Sequence, residues 1–273
     1  MSPTPKLILY RGWDDPGNYV WSPFVTKVEL RLRAAGVEYK AASGSVKSAP
    51  RGKIPYLTIN ETESLSDSTL IIENLTSTGL LPDVNATLGP AQRAHDRALC
   101  ALLEDKLYFY HVSAVVASNY YAMRDHVLCA LSYPVRVVVG LLIHRGVKSH
   151  LHGQGTGRFT AEEIAAFRRQ IWESFDDLLR EAKGKQSGTA DGEKPFWIMA
   201  GDGPTEADTV LFGFVVSVLI CTASPESQEV VRSFPTVLEY AENPWSFLPR
   251  LQALGVTARN MALDQSLMFG NTR

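Results

Sequence analysis

Along the first eighty residues the apolar positions switch between a period of two and a period near four, which marks short strands interleaved with helices. Leu7-Ile-Leu-Tyr10 is a β-rich run, followed by a loop holding Gly12, Pro16 and Gly17. Ser22-Pro23 then offers an N-cap hydroxyl and a proline at the first helical position. This predicts a helix in which Val25, Val28, Leu32 and Ala35 form the apolar stripe, Lys27, Arg31 and Arg33 face away, and Gly36 takes the left-handed C-terminal cap. Val37 to Ala42 reads as a second strand, and Ile54 to Ile59 as a third with Pro55 near its start. A fourth short strand lies at Leu65, and Asp67-Ser68 precede the helical pattern of Leu70, Ile71, Ile72 and Leu75. The order β-α-β-β-α predicts a thioredoxin-like α/β domain over residues 1–79.

Residues 80–90 carry Gly, Pro and Asn without periodicity and read as a linker. Beyond them, residues 91–273 read as an all-α helical bundle. Ala91 to Tyr121 predicts one long helix, and Tyr133 to Leu151 another that ends in the glycine-rich His152 to Arg158. Thr160 and Glu163 form a capping box ahead of Ile164, Phe167, Ile171, Phe175 and Leu178, which share one helical face. Lys183 to Lys194 is a hydrophilic loop. Thr205-x-x-Asp208 caps the most apolar helix of the chain, with Leu211, Phe214, Val215 and Val218 pointing inward. A small-molecule cleft is expected where the two domains meet.

Composition narrows the functions. The 273 residues suffice for two cores, and a mean hydropathy of -0.06 is that of a globular protein. With 27 Lys+Arg against 29 Asp+Glu, no positive field exists to hold a nucleic acid. The apolar run Val210 to Cys221 falls short of the roughly 20 residues a bilayer span needs, and no membrane partner is expected. Cys100, Cys129 and Cys221 form no CxxC pair or ligand pattern. They read as buried reduced thiols, with no metal site and a cytoplasmic location.

Three short motifs carry candidate chemistry. In Gly52-Lys-Ile-Pro55 the X-Pro bond at a strand start suits the cis isomer, which leaves the N–H and C=O of Ile54 free to pair with an extended peptide ligand; a plain edge-strand proline is the alternative. Asp67-Ser68, at a strand-to-helix junction, joins a carboxylate, a hydroxyl and a helix N-terminus, a set that can hold both ends of an α-amino acid group; a bare helix cap explains it equally. Ser22 stands at the N-terminus of the first helix, where partial positive charge stabilises a thiolate, although a simple cap competes there too.

In this order and spacing the motifs resemble the glutathione transferase superfamily. Ser22-Pro-Phe, Gly52-Lys-Ile-Pro, Leu65-Ser-Asp-Ser-Thr-Leu-Ile-Ile72, Leu103-Glu-Asp-Lys-Leu-Tyr108, Gly153-Gln-Gly-Thr-Gly-Arg158 and Gly201-Asp-Gly-Pro-Thr-Glu-Ala-Asp208 are most similar to its failed axon connections, cadmium-responsive and metaxin-like branch. The resemblance implies glutathione lying along the first domain, its γ-glutamyl end at Asp67 and Ser68, its cysteinyl backbone on Ile54 beside Pro55, and its sulfur near Ser22. The resemblance further implies that Lys47, Arg51 or Lys53 meets the glycyl carboxylate, with a solvated basic loop as the equal alternative. Asp67 stands where Glu or Gln is commonest in transferases. The implied reaction is conjugation, thioether cleavage or isomerisation of a hydrophobic electrophile.

A Tyr hydroxyl, Tyr10 among them, can replace Ser22 as thiolate donor. Tyr110, His111, Tyr121 and Arg124 are the expected substrate residues, with His111 as a proton shuttle at neutral pH, although aromatic residues on a helix read more readily as packed core. The resemblance also admits a homodimer, a glutathione-independent enzyme on the same fold, and a non-catalytic binding or scaffold protein. Met261 to Arg273 lacks the hydrophobic anchor that a metaxin-type membrane role calls for.

Overall fold

Four short strands form one mixed sheet in the order β2-β1-β3-β4, comprising β1 (Leu7–Tyr10), β2 (Lys40–Ala42), β3 (Tyr56–Ile59) and β4 (Glu63–Ser66). The structure is a computed structural model that describes residues 5–12, 18–186 and 195–242. β1 runs parallel to β2, with Leu9 opposite Ala41, and antiparallel to β3, with Leu9 opposite Leu57. β3 and β4 are antiparallel, with Leu57 opposite Leu65. β2 is shorter than the pattern predicts because the Val37 N–H is spent on the Leu32 carbonyl at 2.9 Å, closing the preceding helix instead of joining the sheet.

Leu7, Leu9 and Leu57 point to one face of the sheet and are buried there with Val28 and Leu32 of α1 (Pro23–Ala34) and Ile71, Ile72 and Leu75 of α2 (Ser68–Ser77). Alternation sends Tyr10 to the other face, where its ring stacks on Tyr56 at 4.2 Å. This is the predicted thioredoxin-like arrangement. The part of the early loop around Pro16 and Gly17 lies outside the described residues.

The rest of the described chain is helical, comprising α3 (Pro90–Ala101), α4 (Tyr108–Ser118), α5 (Tyr120–Val127), α6 (Tyr133–Gln154), α7 (Ala161–Gln186), α8 (Glu206–Ile220), α9 (Pro225–Arg232) and α10 (Pro235–Glu242). The single helix expected from Ala91 to Tyr121 is not continuous. A π-helical turn at Leu102–Leu107 joins α3 to α4, and Asn119, with φ -138° and ψ 43°, breaks the backbone before α5. α6 passes Leu151 to end at Gly155, whose φ of 109° makes it the left-handed cap. α7 opens on the expected capping box, in which Thr160 and Glu163 bond each other's N–H groups at 2.8 and 3.2 Å. It continues through Lys183 to Gln186, so only the remainder of the predicted loop falls outside the described residues.

α8 is the centre of the helical core, covered on nearly every side and packed with Leu103, Leu107, Trp172 and Phe175. Its start is held by Thr205 and Asp208, as predicted, and by two distant residues. The Asp96 carboxylate accepts the Ala207 N–H at 2.9 Å, and the Asn85 side chain accepts the Glu206 N–H at 3.1 Å while donating to Asp96.

Two expectations are corrected. Lys27 and Arg31 do not face solvent, because α8 lies against α1 and encloses them: Arg31 pairs with Glu206 at 3.2 Å and donates to the Pro82 carbonyl at 2.7 Å. All three cysteines are free, but Cys129 is exposed and Cys100 and Cys221 are only partly buried. Among the described residues no helix is long and apolar enough to cross a membrane, and no group of three or more His, Cys, Asp or Glu is placed to hold a metal ion.

Candidate active site

Two helix N-termini and one strand start frame the site. At α1 the Ser22 hydroxyl accepts the Val25 N–H at a long 3.4 Å, leaving its own hydrogen without an acceptor among the described residues. At α2 one carboxylate oxygen of Asp67 accepts the Thr69 and Leu70 N–H groups at 3.0 and 3.5 Å, and its other oxygen has no partner among the described residues. Asp67 holds φ 85° and ψ 130°, a conformation costly for a residue with a side chain. Ser68 is buried, and its hydroxyl makes no hydrogen bond among the described residues. Between the two helix starts the Ile54-Pro55 bond is cis, as the sequence predicts, and neither the N–H nor the C=O of Ile54 is hydrogen-bonded among the described residues. Lys53 beside it is exposed.

The groups around this frame are fixed by the second domain. Lys27, one turn into α1, donates to the Thr69 hydroxyl at 3.1 Å and to Glu104 in the π turn at 2.9 Å, so a buried ammonium sits against the start of α2. The Trp21 carbonyl accepts from the Ser217 hydroxyl of α8, and the Trp21 ring stacks on His126 of α5 at 3.7 Å. Phe24 meets Tyr108 of α4 edge-on at 5.0 Å. Sequence reasoning missed Lys27 and His126. Their spacing carries no signal, because both roles depend on which element the second domain brings opposite them.

The remaining expected residues are placed elsewhere. Tyr10 is packed flat on Tyr56 under the loop at Gly44, on the sheet face opposite α1. Tyr19, a second tyrosine close to the start of α1, is also unsuited to donate to a thiolate: burial raises its phenol to about 12, and its ring packs edge-on against Phe212. Tyr110 leans on Phe167 of α7 at 5.7 Å. His111 bonds Ser227 of α9 at 3.1 Å, its Nε2 is buried without a partner, and burial, with a smaller push from Arg168, lowers its pKa to about 3. A ring that stays neutral throughout the physiological range does not suit the proton shuttling expected of it. Arg124 is buried among the rings of Tyr120, Tyr121 and Tyr133 and bonded to Asp125 at 2.9 Å, while Tyr121 itself is exposed. The expected substrate group is therefore split between the α7–α9 side and the α5–α6 side of the helical domain.

Residues 23–123 match the family model described as the glutathione S-transferase N-terminal domain. The chain has the glutathione S-transferase fold. The isoprene-epoxide–glutathione S-transferase of Rhodococcus sp. strain AD45 is 24% identical over 232 residues, which span 81% of this chain and 90% of that protein. Among solved structures, the beta-etherase LigF of Sphingobium sp. strain SYK-6 superposes on this transferase fold with a TM-score of 0.60 at 13% identity, covering 92% of this chain and 98% of its own. A glutathione transferase family member from Pseudomonas fluorescens pf-5, solved with two glutathione molecules bound, gives 0.53 at 16% identity, covering 92% and 94%.

Proposed function

We propose that this chain is a glutathione-dependent enzyme whose substrate is an apolar electrophile with a carbon–oxygen bond to open, as the names of the isoprene-epoxide transferase and the beta-etherase denote for those two proteins. The observation that carries the reading is the set of unspent polar groups on one edge of the first domain: the Ile54 backbone pair, the second Asp67 oxygen and the Ser68 hydroxyl. Extended backbone fits Ile54, and an amino acid head group fits the Asp67-Ser68 helix start, so the residues present suit glutathione. Bound there, glutathione supplies the thiolate. Ser22 donates its free hydrogen toward the sulfur position, the N-terminus of α1 favours negative charge, and Trp21, Phe24 and Tyr108 wall the site with apolar surface. Tyr10 and His111 take no part in this reading.

The finer placement in the failed axon connections, cadmium-responsive and metaxin-like branch rests on the motifs at Gly153 to Arg158 and Gly201 to Asp208. Both coincide with helix ends in the fold. A homodimer remains part of the proposal without entering the chemistry.

Calorimetric titration with glutathione tests the reading. Asp67→Asn keeps a cap acceptor and tolerates positive φ while removing the charge, so affinity should fall about tenfold with thermal stability nearly unchanged. Ser22→Ala should leave binding within a few fold and lower turnover instead, since one neutral hydrogen bond contributes only ~0.5–1.5 kcal/mol. Undiminished affinity in Asp67→Asn would reduce that carboxylate to a helix cap, and absence of glutathione binding by the parent protein would end the proposal.

A further inference from the structure

The exposed large apolar side chains of the described residues are not scattered. Most of them lie on the α5–α6 hairpin: Tyr133 is 64% exposed, Val138 59%, Leu142 64% and Leu141 52%, with Val135 and Tyr121 beside them. α6 is held to the rest of the domain along one side only, through Gly140 and Leu151. Val135, Val138, Leu142 and Arg145 follow one another at helical spacing on the opposite side, so the outer face is apolar over its first turns and basic over its last. A patch of this kind on a protein surface marks an interaction site.

Charge says what the patch meets. The 22 residues of α6 include Arg136, Arg145 and Lys148 and the histidines 144, 150 and 152, and not one Asp or Glu. Asp125 on α5, which Arg136 of α6 reaches at 3.6 Å, is also engaged by Arg124 at 2.8 Å. Two copies of this face meeting about a twofold axis would leave the basic residues of both without an acidic partner, because an isologous contact pairs a patch with itself and α6 carries no acid. A planar surface carrying negative charge outside and hydrocarbon beneath complements both halves of the helix at once.

We propose that α6 docks the protein on the surface of an anionic lipid bilayer, Val135, Val138, Leu141 and Leu142 entering the acyl boundary and Arg145 and Lys148 meeting lipid phosphates. The expectation of no membrane partner rested on the lack of a spanning segment, and interfacial docking needs none. The inference is independent of the glutathione reading.

The test is sedimentation of the full chain with vesicles of phosphatidylcholine containing about a third phosphatidylserine, against vesicles of phosphatidylcholine alone. Binding should require the anionic lipid and weaken with salt. The double variant Leu141→Glu/Leu142→Glu should abolish it, and Arg145→Ser/Lys148→Ser should lower the partition coefficient about tenfold or more. All four side chains are exposed, and a thermal melt matching the parent's establishes that each variant is folded. Failure of the parent protein to bind anionic vesicles overturns the proposal, as does binding that survives Leu141→Glu/Leu142→Glu. A concentration-dependent dimer, dispersed by that same variant in the absence of vesicle binding, assigns the face to a second copy of the chain and equally overturns it.

Discussion

Asp208 shows how one buried carboxylate can organise a helix start. It has no solvent exposure, and its two oxygens accept from the Ile198 N–H at 2.9 Å, the Thr205 N–H at 2.8 Å, and the hydroxyls of Thr205 and Tyr240, each at 3.1 Å. Burial raises its pKa to about 6, although all four donors pull the other way. Asp208→Ala should cost about 3 kcal/mol, more than an exposed cap, because several donors lose their acceptor inside the core. The pH dependence has a definite sign. The unfolded carboxyl titrates near 3.9 and the folded one near 6, so the folded state holds an extra proton between those values. This group's contribution is complete below about pH 4 and is lost as pH rises through about 6. Urea unfolding of the parent and of Asp208→Asn, which cannot titrate, should therefore show the parent's advantage shrinking from about pH 4 to about pH 7. An advantage that is flat or grows over that range rules out the raised pKa.

At the scale of elements, the contact between α1 and α8 decides where the thiol end of the site lies. A β-carbon added at Gly213 would fall 2.6 Å from the Pro23 carbonyl oxygen and 3.5 Å from the Lys27 nitrogen, both of them backbone atoms that cannot rotate away. Replacing a mid-helix glycine by alanine ordinarily stabilises by ~1 kcal/mol. Here Gly213→Ala should destabilise by about 2 kcal/mol and weaken glutathione binding, since Pro23 follows Ser22 directly. A variant as stable as the parent would show that α1 and α8 separate freely. The π turn does comparable work on the other side: its wider winding resets the helical phase after Leu102, so that Glu104 reaches Lys27 while Leu103 and Leu107 stay in the core. Neither device is legible in the sequence. Gly213 reads as an ordinary small residue in an apolar run, and Ala91 to Tyr121 reads as uninterrupted helix, because the constraint on each comes from a distant element.

In the whole molecule, what could be read in advance divides by distance along the chain. The helix starts at Ser22, Asp67, Thr160 and Thr205, and the cis bond before Pro55, depend on neighbours within a few residues, and the sequence exposes them. The candidate site is legible to the same extent, as two helix N-termini and a strand start, whereas Lys27, His126 and the splitting of the expected substrate residues arise only when the helical domain closes over the sheet domain. That closure buries charge: Arg31, 2% exposed, bridges from α1 to Glu206 at the start of α8 and to the Pro82 carbonyl in the connecting segment. Burial raises the Glu206 pKa, and Arg31 and Lys27 oppose the rise. Removing Arg31 leaves a carboxylate and a carbonyl facing each other across the junction, so Arg31→Met should cost about 3 kcal/mol. Glu206→Gln should cost less, because the carboxylate is more exposed than its partner and the amide can still accept from Arg31. In the double variant part of the loss should be recovered, with a coupling of about 1–2 kcal/mol between the two positions. Chemical unfolding followed both by near-ultraviolet signal and by helix content measures this directly. In the parent the two probes should coincide, since Leu30 of α1 is part of the helical core; in Arg31→Met they should part. Additive single-variant losses together with coincident transitions in Arg31→Met would show that the pair does not hold the domains together.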